Sequence, residues 1–297
     1  MFFRPFLPSI LFAWCLIASL LNAAEVDKPS PWADWLEPDF PFFSSILDAR
    51  DAGDNSPSNN LTPRGLILNL GNNCWACFDT DLLRVSAIWR GDAVTPEALA
   101  QKSYHPSGGK TKGGQVVLPK PSANVWIANG IYPGWQIGER LELGDPREAA
   151  PSPEEVGRGP LDEKQGRFKS IHLSDQETVL EYAIGNTRIR ESISASKYDK
   201  QFVVERHFEI SQSDHPLLLV LGMKANGGVN LGQSSGKRIV KLTEEQSRWV
   251  ARIPTHEEPI RFCVTFTENQ PAPSIEPRTI SIQASRTRWP QETVTSA

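Results

Sequence analysis

Cysteine is scarce: the 297-residue chain has four, and only Cys74, Cys77 and Cys263 lie beyond the first two dozen residues. An odd set leaves at least one thiol without a partner in the chain. No histidine follows Cys77, so a CxxCH haem attachment is excluded. Cys74-Trp-Ala-Cys77 has the spacing of a redox pair, but it sits in an apolar run that reads as strand. There three residues span roughly 10 Å, too far for a disulfide with Cα atoms about 5.5 Å apart. Buried small side chains are the expected role. Basic residues are not in excess: residues 25–297 carry 30 bases against 35 acids, which excludes phosphate backbones as a natural partner. Gly108-Gly109 and Gly113-Gly114 lack the strand–loop–helix context of a phosphate loop. The five histidines show no metal-ligand spacing, so neither metal nor cofactor is expected.

What is present begins with an address. Residues 1–24 run from a short basic start (Arg4) through an apolar stretch to Ala23-Ala24, the order of a cleaved secretory signal. The apolar stretch falls short of the roughly 20 residues a spanning helix needs. The expectation is a periplasmic or secreted protein with no membrane segment after cleavage.

Residues 25–63 are rich in Pro, Asp, Asn and Ser and read as an extended lead-in, with a short helix at Ser45–Ala52 an option. From Arg64 the pattern is β. Gly65–Leu70, Cys74–Phe78 and Leu82–Arg90 are strands joined by the turns Gly71-Asn72-Asn73 and Asp79-Thr80-Asp81. Residues 91–166 form a long irregular insertion dense in glycine and proline, with one strand at Val125–Ala128 and a helix start near Thr95. Strand-like runs then recur at 168–173, 178–184, 187–195, 202–211, 216–223, 238–242, 248–253, 260–267 and 279–283. Many short strands without helical periodicity predict an all-β antiparallel sandwich over 64–290, with a polar tail at 291–297.

The stretches PFFSSILDARDAG, NLTPRGLILNLG, CWACFDTDLLRVSAIWRG, WIANGIYPGWQ and PSPEEVGRGPL resemble an exported bacterial domain of unknown function. In that family the domain usually precedes a propeller resembling sugar dehydrogenases and a c-type cytochrome domain. The resemblance therefore implies an exported dehydrogenase or c-type cytochrome protein as partner, on a separate polypeptide because this chain lacks CxxCH. The strands from 178 to 223 also look like the sandwich of galactose-mutarotase type, a hint toward carbohydrate.

Three constellations carry candidate chemistry. Asp79 and Asp81, two residues apart, could ligate Ca²⁺, or Asp79 could cap the turn while Arg84 pairs with an acid. On the strand Phe202–Ile210 one face is apolar except for Arg206, which needs a buried partner such as Glu181 or Glu191. The other face sets His207 between Glu205 and Glu209, an acid/base pairing for sugar chemistry or simply a solvated face. Trp89, Tyr104, His105, Trp126, Tyr132 and Trp135 could stack on sugar rings, or could anchor the irregular segment to the sandwich. The reading that results is a non-catalytic accessory or binding module recognising carbohydrate or docking to a redox partner. The alternative is a sugar hydrolase, lyase or epimerase using Glu205 and His207.

Overall fold

The computed structural model describes residues 40–50, 52–53, 56–95, 118–149, 158–173, 178–199, 201–223, 227–234, 239–268, 271–282 and 294–295. Among them there is no helix, and every paired strand runs antiparallel. A five-stranded sheet orders β1 (Phe42–Asp48), β2 (Leu61–Gly71), β3 (Cys74–Asp79), β4 (Arg84–Arg90) and β5 (Val125–Ala128) in sequence. A four-stranded sheet uses β6 (Trp135–Ile137), β11 (Leu217–Met223), β13 (Lys241–Glu245) and β14 (Arg248–Ile253) in the order β13-β14-β11-β6. A seven-stranded sheet joins β7 (Arg167–Leu173), β8 (Thr178–Ile184), β9 (Thr187–Tyr198), β10 (Gln201–Ile210), β12 (Val229–Gln233), β15 (Ile260–Phe266) and β16 (Val294–Thr295). Its order is β12-β15-β10-β9-β8-β7-β16.

Turn chemistry sets these registers. Asn72 and Asn73 both adopt left-handed backbone (φ 53° and 57°), the geometry whose twist matches a two-residue hairpin. Gln246 and Ser247 do the same between β13 and β14 (φ 48° and 60°). The inner face of the large sheet is apolar and is covered by the two smaller sheets. Phe78 of β3 packs on Phe168 and Tyr182, Trp126 of β5 on Phe202, and Trp135 of β6 on Tyr182 and Phe208. The three cysteines beyond the N-terminal segment are free and buried, and burial pushes the Cys74 and Cys77 thiols up to about 12. The Cys74–Cys77 pair is therefore packing, not redox chemistry.

Several elements differ from the sequence reading. The lead-in carries a strand, β1, where a helix at Ser45–Ala52 was the option; pairing with β2 satisfies a backbone that local propensity leaves undecided. β4 begins at Arg84, because Leu82 and Leu83 belong to the turn and Leu83 is left-handed (φ 51°). β6 and β12 were not expected, and no strand forms over 279–282. Most of the expected helix start after Thr95 lies outside the described residues.

Residues 271–282 instead form a strap across the outer face of the large sheet. Pro271, Pro273 and Pro277 have no N–H, so the segment cannot complete a ladder. It is held by side chains: Asn230 Nδ2 donates to Ala272 O (2.8 Å), Ser274 Oγ to Leu231 O (3.3 Å), and Ile280 N–H to Glu209 Oε1 (3.3 Å). Gly232 lets it approach, since a Cβ there would lie 1.7 Å from Ile275 O. Gly232→Ala should lift the strap, lowering stability by about 1–3 kcal/mol and speeding amide exchange over 271–282. Unchanged exchange would show that the strap does not depend on that approach.

Candidate functional site

The Asp79 turn is a closed hub. Asp79 Oδ1 accepts the N–H groups of Asp81 and Leu82 (3.0 and 3.2 Å), and its Oδ2 accepts Arg84 Nε (3.0 Å). Arg84 is fully buried and donates onward to Asn129 O (2.7 Å), Gly130 O and Leu61 O (3.1 Å). Asp81 faces Arg64 at 3.6 Å and Arg147 at 3.9 Å, and burial, with the charge of Asp79, pushes its carboxyl above the usual range. Guanidinium groups already answer both acids. Asp79 caps the turn, while Asp81 Oδ1 makes no hydrogen bond among the described residues.

The aromatic candidates are interior. Trp89 is fully buried and donates to Asp92 O (3.0 Å). Tyr132 donates to Asn129 Oδ1 and accepts from Arg248 Nε, both at 3.0 Å. Trp135 donates to Tyr182 OH (3.0 Å), and Trp126 packs edge-on against Phe202. Trp89, Trp126, Tyr132 and Trp135 are thus buried core anchors, of which Trp126 and Trp135 each line a cavity. Tyr104 and His105 lie outside the described residues.

The Glu205/His207 face is largely closed to solvent, because the strap crosses it. His207 is 1% exposed. Its Nδ1 accepts the Arg278 N–H (3.4 Å), which places the ring proton on Nε2, donated to Glu205 Oε2 (3.0 Å). Glu205 Oε1 accepts Ser196 Oγ (2.5 Å), and the His207 hydrogen bond above all holds the Glu205 carboxyl below its ordinary range. Cys263 Sγ lies 3.7 Å from His207 Nε2, and burial keeps this thiol protonated. Both ring nitrogens are engaged, so the pair does not stand as a free acid and base over a substrate.

A cleft of about 480 Å³ lies elsewhere, at one end of the large sheet. Its lining comes from the end of β6 (Ile137), the turn at Glu163–Lys164, the β8–β9 turn (Gly185-Asn186) and the connection from Gln212 to His215. Backbone hydrogen bonds fix these walls. Gly185 is left-handed (φ 54°), and its N–H donates to Gln165 O (3.3 Å). Ser213 exchanges backbone bonds with His256 (2.9 and 3.0 Å), while its Oγ donates to His215 O (2.8 Å) and accepts Thr187 Oγ1 (2.9 Å). Glu163, Lys164, Asn186, Gln212, Asp214 and His215 are exposed along the rim. Ile137, 42% exposed, adds apolar surface and also walls a second cavity of about 230 Å³ beside Gln136 and Glu142. This cleft is not legible in the sequence because its residues come from four separate segments, of which Gly185-Asn186 alone is local turn chemistry.

A GxSxG nucleophile elbow is not expected from the sequence, yet Gly232-Gln233-Ser234-Ser235-Gly236 has its spacing. Its first two residues lie in β12, and Gln233 brackets Val240 with two side-chain bonds (2.8 and 2.9 Å). Ser235 and Gly236 lie outside the described residues.

Residues 76–191 match the model of a family described as a domain of unknown function, DUF6797. The match runs from β3 into β9, covering the Arg84 hub and the half of the cleft built from Ile137, Lys164 and Asn186. No curated protein and no solved structure matches the chain.

Proposed function

We propose that this chain is an exported, non-catalytic binding module that seats a small polyhydroxylated ligand of the sugar class in the cleft between the β8–β9 turn and the Gln212–His215 connection. The carrying observation is the lining. Amide and carboxylate groups of Asn186, Gln212, Asp214 and Glu163 stand beside the exposed Ile137. Sugar hydroxyls both donate and accept, so planar amides and carboxylates suit them, and the C–H faces of the ring suit an aliphatic side chain. The volume lies within the range of roughly 300–1,000 Å³ usual for small-molecule sites. Export rests on the order of residues 1–24. An exported dehydrogenase or c-type cytochrome protein is the partner suggested by the family resemblance.

A glycan-array screen of residues 25–297, followed by calorimetry on the hits, tests this reading. Asn186→Ala combined with Asp214→Ala should weaken binding about 5- to 150-fold, since each lost hydrogen bond is worth about 0.5–1.5 kcal/mol, while the melting temperature stays unchanged. Saturable glycan binding that survives the double change would move the site elsewhere.

A further inference from the structure

We propose that Glu205, His207 and Cys263 form a binding site for one zinc-class divalent cation beneath the C-terminal strap. This goes beyond the cleft reading and does not depend on it. His207 of β10 pairs in register with Cys263 of β15, and Glu205 stands two residues along β10, so all three side chains share the outer face of the sheet. Their donor atoms lie within 4.8 Å of one another. The spacing suits a tetrahedral ion. Zinc bonds of about 2.3 Å to sulfur and about 2.0–2.1 Å to nitrogen put those donors roughly 3.5–3.6 Å apart at the tetrahedral angle. Cys263 Sγ and His207 Nε2 are 3.7 Å apart. The corresponding nitrogen–oxygen edge is roughly 3.3 Å, against 3.0 Å between His207 Nε2 and Glu205 Oε2.

One sulfur, one nitrogen and one oxygen donor select a borderline cation rather than Ca²⁺ or Mg²⁺, which prefer all-oxygen shells. Three protein donors leave one tetrahedral position for water. His207 and Cys263 are buried, while the Glu205 side chain, 14% exposed, opens the route to solvent. On binding, the ion replaces the proton on Nε2, and the ring proton passes to Nδ1. The Cys263 thiol releases its proton to the buffer, and two anionic donors then neutralise the dication. The Arg278 guanidinium, bonded to Ser192 Oγ at 3.2 Å, also faces this cluster and leaves the loaded site with one net positive charge, which Glu205 open to solvent helps to screen. One contact must be given up: the Arg278 N–H now aimed at Nδ1.

The test uses the full chain, reduced and stripped of metal, titrated with Co²⁺ as a coloured stand-in and then with Zn²⁺. The expected result is one ion per chain, a thiolate-to-cobalt charge-transfer band and intense tetrahedral visible bands, all erased by Zn²⁺. Cys263→Ser should remove the charge-transfer band and weaken binding at least about tenfold, and Cys74→Ala with Cys77→Ala should leave it intact. Hydrogen exchange gives a readout without variants, since Zn²⁺ should speed exchange of the Arg278 amide. No saturable Co²⁺ binding, or a thiolate band that follows Cys74 and Cys77, would overturn the proposal.

Discussion

Arg84→Met should destabilise the protein by about 3–5 kcal/mol, the cost of leaving a buried charge without its partner. The side chain is fully buried, and its guanidinium reaches Asp79 on β3, Leu61 at the start of β2 and the carbonyls of Asn129 and Gly130 after β5. Methionine fills similar volume but donates nothing. Asp79 keeps the amides of Asp81 and Leu82 but loses its counter-charge, and three carbonyls lose donors in a place water does not reach. The chain cannot shift to compensate, because Gly134 already packs so closely that a Cβ there would lie 2.6 Å from the Arg84 Cα. Arg84→Lys should fall between the two, since one ammonium cannot reproduce the fork. Urea unfolding measures this directly. A change of less than about 0.5 kcal/mol, the size of an ordinary surface substitution, would show that the hub does not hold these strands together.

Arg206 makes a different case. Its Nε donates to Glu191 Oε1 (2.6 Å), and Tyr182 OH donates to Glu191 Oε2 (2.7 Å) while accepting the Trp135 indole (3.0 Å). This chain lies between the large sheet and β6. Burial, with the charge of Glu191, pushes the Tyr182 phenol up, so it remains a donor. The two terminal nitrogens of Arg206 have no partner among the described residues. Arg206→Met alone should cost about 3–5 kcal/mol, because an uncompensated Glu191 stays buried. Adding Glu191→Gln should recover at least about 2 kcal/mol, for the amide keeps an acceptor for Tyr182 and carries no charge. Strictly additive losses in a double-mutant cycle would mean that the two residues do not act as a pair.

Much of this architecture could be read from residue order. Period-two alternation over β7 to β11 and the Asn72-Asn73 hairpin follow from local chemistry, so those strands fell close to their observed bounds. The need of Arg206 for an acid was also legible, since an arginine on an apolar face must be paired, and Glu191 is that acid. What escaped depends on distant chain. β1 has no alternation of its own and forms because β2 offers an edge. The strap could not be foreseen because 279–283 reads as a strand and the prolines before it do not say what the segment crosses, and with it went the burial of His207. Exposure of the aromatic rings is likewise a tertiary property: Trp135 belongs to an irregular stretch in sequence and to the centre of the core in space.

The proposed ligand site is the cleft and not the aromatic rings or the Glu205 face. Amide chemical-shift mapping during titration with the best glycan from the array tests it most directly. Saturable shifts clustered at Glu163–Lys164, Gly185–Thr187 and Gln212–His215 are expected. Shifts centred on Glu205, His207 and the strap, with the cleft amides unmoved, would contradict it.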